Sequence, residues 1–254
     1  MKEFEYETVV SSLGDNGVRT ILLNRPEQLN AMNRTLINEV ASAFDDANAD
    51  QKTRAIVFTG AGRAFCAGDD RHEHQHPQNE NEAREFVELI QAATRAIIFG
   101  SKPVVGAING WAVGGGFEWA MNCDFPIWAE SGRGFFPEVS LNLFVTGGVT
   151  SSLPALVGLN KAREMLFFGE RYGADALLEM GVAWRVVSDD ELIQSAVEVA
   201  TDLANLPPLS VRAMKSVLNR TAACDLGQAL RLETEATVAG FMDPETTARL
   251  KDFK

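Results

Sequence analysis

The chain has 254 residues, 46% of them apolar, enough for one large domain or two small ones around a sizeable core. Its formal net charge of −12 repels phosphate backbones and anionic bilayers, so nucleic-acid and lipid-surface binding are disfavoured. No uncharged apolar run reaches the length of a membrane span, and the opening MKEFEYETVV has no apolar signal core.

In chain order, residues 6–12 and 18–24 are rich in β-branched side chains around the turn sequence GDNG, which predicts a hairpin. Leu36, Val40, Phe44 and Ala47 then recur at about one helical turn. RAIVFTG (54–60) reads as a buried strand running into the small-residue loop AGRAFCAG. Ala83, Phe86, Val87, Ile90, Ala93 and Ile97 mark one face of a helix over 80–99, and KPVVGAING (102–110) is a second buried strand. GGGFEWAMN opens a helix, CDFPIWAE is strand-like and AREMLFFG is helical. This alternation predicts an α/β core with mostly parallel strands over 1–190. Strand signals then stop, and three helical patterns fill a C-terminal region over 191–254. Cys66, Cys123 and Cys224 are odd in number and far apart, with no CxxC, which fits reduced thiols in a cytoplasmic protein.

Two turns carry chemistry. In GWAVGGGFEWAMNCD (110–124), three glycines stand between a strand and a helix. Glycine lets the backbone approach a ligand closely, and the unpaired N–H groups of a helix start can hold an anion or a developing oxyanion. Tight helix packing or a phosphate loop are the other readings, although GxGxxG and GK[ST] are both absent. AFCAGDD (64–70) is a second small-residue turn after a strand. Loops that end parallel strands face one crevice at the carboxyl edge of the sheet, so each could donate an N–H to the same carbonyl oxygen.

NRPEQLNAM (24–32), AFCAGDD, KPVVGAINGWAVGGGFEWAMNCD (102–124), FFPEVSL (135–141) and the helical tail occur in that order over nearly the whole chain. Together they resemble the crotonase, or enoyl-CoA hydratase/isomerase, superfamily. The resemblance implies a spiral of ββα turns with a helical C-terminal trimerisation region, a homotrimer or dimer of trimers, and an acyl-CoA substrate with no other cofactor. It implies an oxyanion hole formed by the N–H groups of Asp69 and Gly115. It also implies substrate contacts from Gln28, Ala31, Ala67, Gly68, Asp70, Gly114 and Thr146. Glu118, two residues after the third glycine, and Glu138, twenty residues on, stand where hydratases of the family carry their two catalytic glutamates. Glu118 is assigned to water activation and Glu138 to proton exchange at the α-carbon. Taken alone, the first would more often support a helix N-terminus and the second would be an exposed loop acid.

The implied activity is hydration of a 2-enoyl-CoA. The sequence also departs from the family pattern. VTGG (145–148) replaces the usual Pro-Gly run, Asn142 replaces a glycine, and Asp69 stands where a small residue is usual. Thr146 could place a hydroxyl near the reacting centre or cap the next helix. Glu27 and Gln28 stand where a base often meets CoA, leaving Arg25 or Lys254 for the phosphates. These departures keep a double-bond isomerase, a hydrolase of a β-dicarbonyl carbon–carbon bond or a lyase as alternatives, and a non-catalytic binding protein behind them. Three further groups stay open. His72, His74 and His76 could ligate a metal with Asp69 and Asp70, but the resemblance places them on a polar rim of the acyl pocket and implies no metal. Arg212, Lys215 and Arg220 form a basic helical face, either solvated or turned to CoA. Phe135, Phe136 and Phe144 line the acyl pocket or pack between helix and sheet.

Overall fold

The computed structural model describes residues 6–73, 75–221 and 226–252. Strands β1 (Val9–Leu13) and β2 (Val18–Leu23) pair antiparallel as the predicted hairpin. After a 3-10 turn at Pro26–Gln28, helix α1 (Arg34–Ala49) is capped by Asn33, whose side chain accepts the Leu36 N–H.

One unit then repeats three times: a strand, a tight corner and a short second strand. β3 (Ala55–Gly60) and β4 (Ala64–Cys66) lead to α2 (Glu80–Phe99). β5 (Val104–Ile108) and β6 (Trp111–Val113) lead to α3 (Gly115–Met121). β7 (Phe125–Ala129) and β8 (Arg133–Phe135) lead to a 3-10 turn at Glu138–Leu141, then to α4 (Val149–Val157) and α5 (Leu159–Phe168). The chain continues through β9 (Tyr172–Gly173), α6 (Ala174–Glu179) and β10 (Arg185–Val187) to α7 (Leu192–Asn205), α8 (Pro208–Thr221), α9 (Leu226–Met242) and α10 (Pro244–Asp252). First strands of the units join a six-stranded sheet of order β1-β2-β3-β5-β7-β10, and second strands join a four-stranded sheet of order β4-β6-β8-β9. Stacking these units gives the spiral α/β fold.

The large sheet is buried on both faces, which is why its strands read as unbroken apolar runs. Ile56, Phe58, Val104 and Ile108 face the main core with α1 and α2. Ala55, Val57, Val105 and Ala107 face the other way, onto Leu192, Ala196, Ala200 and Ala204 of α7. Small residues recurring every fourth position on α7 let that helix lie close to the sheet. Thus α7, the first of the C-terminal helical patterns, covers the sheet, while α9 packs on α2 and α4. No helix among the described residues is long and apolar enough to cross a membrane.

Two surface readings change. Lys215 does not belong to an exposed basic face: it is buried, its Nζ donating to the Ile97 and Lys102 carbonyls and to Asp124 Oδ2 at 2.7 Å. It ties α8 to the end of α2, a pairing between residues far apart in the chain that helical periodicity does not reveal. Trp119 and Trp128 are core, whereas Trp111 and Trp184 are exposed. Cys66 and Cys123 are buried free thiols, and Cys224 lies outside the described residues.

Candidate active site

Parallel pairing of β4 with β6 places Ala64 beside Trp111 and Cys66 beside Ala112, so the turns that follow both strands leave the sheet in the same direction. The contact is close. A Cβ on Gly116 would sit 2.3 Å from the Cys66 carbonyl oxygen, and one on Gly68 would sit 2.8 Å from that of Val113. Glycine at these two points lets the turns touch.

On the first turn, the Met32 N–H donates to Gly68 C=O at 2.7 Å and the Asp70 N–H donates to Met32 C=O at 3.1 Å. The peptide between Gly68 and Asp69 is trans, so the Asp69 N–H points opposite to the Gly68 carbonyl, away from the Met32 backbone. On the second turn, Gly114 C=O accepts the Glu118 N–H as the first bond of α3, which directs the Gly115 N–H out beyond the helix start. Asp69 and Gly115 both line one cavity of about 90 Å³, together with Ala67, Gly68, Gly114, Glu138 and Thr146. Its apolar wall includes Leu143 and Phe144, and its far side includes Thr237, Phe241 and Leu250 from α9 and α10.

Both glutamates are buried, which sets aside the exposed-acid reading of Glu138, while Glu118 does lie in the first turn of α3. Glu118 turns from α3 to the segment after the 3-10 turn. Its Oε1 accepts the Thr146 N–H at 2.7 Å and its Oε2 accepts the Thr146 hydroxyl at 2.5 Å. Thr146 therefore does not cap α4, whose N-cap is Gly148. Burial pushes the Glu118 carboxyl up to about 7, the two Thr146 donors pull the other way, and the charge of Glu233 adds to the rise. Glu138 differs. Its Oε2 is buried with no hydrogen-bond partner, and its carboxyl is held well above the ordinary range by burial and by facing Glu118. An unmet buried acceptor costs roughly 1–3 kcal/mol, and a buried carboxyl of raised proton affinity beside a cavity marks a candidate functional site. The environments split the pair: Glu118 is held by donors that favour its ionised form, and Glu138 by surroundings that favour its neutral one.

Other sequence-derived site residues are placed differently. Gln28 is exposed on the 3-10 turn before α1, and Ala31 is buried with its carbonyl accepting from Arg25 Nη1. Asp70 is buried 2.8 Å from Arg25 Nη1, and Arg25 Nη2 reaches Glu73 at 2.8 Å. None of these three lines the cavity. Arg25 Nη1 ties the Ala31 carbonyl to Asp70 next to the Gly68–Asp69 turn, and the Gln28 N–H donates to the Arg25 carbonyl. This pairing corrects the expectation that Arg25 meets phosphate, because its guanidinium is turned inward and committed. Lys254 lies outside the described residues. Phe144 lines the cavity, while Phe135 and Phe136 pack in the core. His72 and His76 are exposed, His76 Nδ1 lying 3.0 Å from Thr247 Oγ1 on α10, and His74 lies outside the described residues. Among the described residues, no group of three His, Cys, Asp or Glu side chains is placed to hold a metal. Sequence reasoning missed Glu233 of α9, whose helical pattern gives no sign that it is buried beside Glu118.

The profile of the enoyl-CoA hydratase/isomerase family matches residues 14–249. The chain is 36% identical over 220 residues to the short-chain-enoyl-CoA hydratase of Clostridium acetobutylicum, covering 86% of this chain and 84% of that protein. It is 33% identical over 232 residues to the crotonyl-CoA hydratase of Syntrophomonas wolfei, covering 91% and 88%. Among solved structures, an enoyl-CoA hydratase/isomerase from Mycobacterium paratuberculosis superposes with a TM-score of 0.89 at 27% identity, over 98% of this chain and all of that one.

Proposed function

The chain belongs to the enoyl-CoA hydratase/isomerase family, and from that premise we propose that it adds water across the 2,3-double bond of an acyl-CoA. The thioester oxygen accepts the N–H groups of Asp69 and Gly115, which draws electron density from the β-carbon. Ionised Glu118 takes a proton from water as its oxygen bonds to the β-carbon, and the π electrons move onto the thioester oxygen as an enolate. Neutral Glu138 then protonates the α-carbon, and the proton left on Glu118 returns to Glu138 before the next turnover. Each oxyanion donor is worth about 2.7–4 kcal/mol of barrier. The mechanism needs no cofactor beyond the CoA carried by the substrate.

The observation that carries this reading is the contrast between the two acids: Glu118 bound by two Thr146 donors, Glu138 buried with its Oε2 unpaired. It predicts a pH profile. With crotonyl-CoA, kcat/KM should fall on the acid side with an apparent pKa near 7, where Glu118 becomes protonated and can no longer accept a proton. On the alkaline side it should fall again as Glu138 ionises. Absence of hydration, or a profile flat from about pH 5 to 8, would reject the assignment.

A second reading rests on the same contrast. Because Thr146 engages both Glu118 oxygens, Glu138 alone could move a proton between C2 and C4 and isomerise a 3-enoyl-CoA. Offering 2-enoyl and 3-enoyl thioesters side by side separates the two activities.

The assembly proposed is a homotrimer or a dimer of trimers. On α8, Leu209, Met214, Val217 and Leu218 are each more than half exposed, and burying such a patch stabilises by roughly 25 cal/mol per Å². Sedimentation should return the mass of three or six chains, and a monomer at working concentration removes this part.

A further inference from the structure

The segment Phe144–Thr150 is held from two sides by residues that belong to different parts of the chain. From the core, Glu118 accepts the Thr146 N–H and hydroxyl. From the C-terminal helices, Glu233 is fully buried. Its Oε2 accepts the Gly148 N–H at 2.6 Å, and its Oε1 accepts the Thr150 N–H at 2.8 Å and the Thr150 hydroxyl at 2.6 Å. One helical turn further along α9, the Thr237 hydroxyl donates to the Phe144 carbonyl at 3.2 Å, and one turn beyond that Phe241 lines the cavity. Between the two carboxylates, Gly147 and Gly148 both take left-handed backbone conformations, which turn alternate N–H groups to opposite sides. The two acids thus hold the segment from opposite sides, with Asn122 Nδ2 on the Gly147 carbonyl and Thr237 on the Phe144 carbonyl as further ties.

We propose that Glu233 is a positioning residue for proton transfer, acting on Glu118 through the Thr146–Thr150 segment that both carboxylates hold. This rests on the hydratase reading above. Two effects follow from the geometry. Glu233 anchors Gly148 and Thr150, just beyond Thr146, and Thr146, which lines the cavity, holds both oxygens of Glu118 directly behind it. The buried charge of Glu233 also disfavours ionisation of Glu118 and so raises its proton affinity. The titratable groups that face Glu118 are Glu233 from α9 and Glu138 from the 3-10 turn, while Cys66, on the strand against α3, is pushed up to about 12 by burial and stays neutral. The chain thereby links its C-terminal helices to the water-activating carboxylate.

Glu233→Gln keeps the shape and removes the charge. The expected result is a fall in kcat of about 10–100-fold with KM little changed, because misplacing a catalytic group by about an ångström costs up to about 100-fold. The acid limb of the pH profile should also move to lower pH, by roughly half a unit or more, since the repelling charge is gone. Glu233→Asp keeps the charge but shortens the reach. Its acid limb should stay at the parental pH while kcat falls. A parental kcat and acid limb in Glu233→Gln would overturn the proposal, as would a loss that matches the unfolded fraction in a thermal melt with an unmoved limb. If Glu233→Gln does not fold, Thr150→Ala tests the same grip with Glu233 in place: reduced kcat supports the proposal and unchanged kcat overturns it. The parent enzyme in the same assay reports on the hydratase reading separately, because failure of that reading leaves the parent itself inactive on crotonyl-CoA.

Discussion

Glu138→Gln should reduce turnover of a 2-enoyl-CoA by about 10³-fold or more while the protein becomes more stable at alkaline pH. The kinetic half follows from chemistry. Gln fills the same space but has no acidic proton for the α-carbon, and general acid catalysis contributes about 10²–10⁴-fold. The gain in stability follows from linkage. The folded-state pKa of Glu138 lies well above the ordinary carboxyl value of 4.5, so the fold favours the protonated acid. Below 4.5 both folded and unfolded chains hold that proton and nothing is lost. As pH rises from 4.5 towards the folded value, the parent loses stability that Gln does not lose. The melting temperature of the variant should therefore exceed that of the parent by a margin that widens between about pH 5 and pH 8. Thermal melts across that range check one half and absorbance of the enoyl thioester checks the other. A variant that turns over normally, or whose margin shrinks with rising pH, would show that Glu138 is not the neutral acid described here.

Gly114→Ala should be nearly as damaging, for a steric reason. Gly114 has φ 51° and ψ −123°, a region that L side chains avoid, and its Cβ would sit 2.6 Å from Glu138 Oε1. Strain of this kind costs on the order of 1–3 kcal/mol, and the carboxyl of Glu138 must also move. Because the same peptide carries the Gly115 N–H, one methyl group disturbs the acid and the oxyanion donor together. A loss of about 100-fold or more in kcat/KM is expected, with the cooperative melt retained. Gly115→Ala is the natural contrast. Its Cβ would meet Met32 Sδ at 2.9 Å, the end of a flexible side chain, and its φ is not positive. Its loss should be clearly smaller. Equal losses in the two variants would mean that crowding near the cavity, and not the Glu138 contact, governs the effect.

These expectations share a cause. Three carboxyls, those of Glu118, Glu138 and Glu233, are buried within one small region, and burial raises the proton affinity of each. Such a cluster opposes folding at neutral pH. Donors from the Thr146–Thr150 segment compensate two of the three, while Glu138 Oε2 has no hydrogen-bond partner.

Local pattern carried much of the fold. Periodic apolar faces located α1, α2 and α7, and apolar runs located β3 and β5, because amphipathic spacing and full burial leave marks within a few residues. The second sheet left no such mark. Strands β4, β6 and β8 are three residues each, too short for alternation, and they exist because successive turns of the spiral stack and pair them. The helices α4, α6 and α10 are likewise short and take their places from what they pack on.

The site divides in the same way. The glycine turn before α3 was legible in consecutive residues, while Glu118, Glu138, Gly115 and Asp69 were singled out through the resemblance to the enoyl-CoA hydratase/isomerase family. The sequence alone left Thr146 open between two roles and Lys215 open between solvent and CoA, offered Arg25 or Lys254 to phosphate, and was silent on Glu233. Each of these is decided by a partner far along the chain: Glu118 is 28 residues from Thr146, Asp70 is 45 from Arg25, Asp124 is 91 from Lys215, and Gly148 is 85 from Glu233. Whether a charged side chain meets water or another buried group depends on which segments the fold presses together. Residue type and local spacing determine what a group can do, and tertiary contact determines its charge state and what it does.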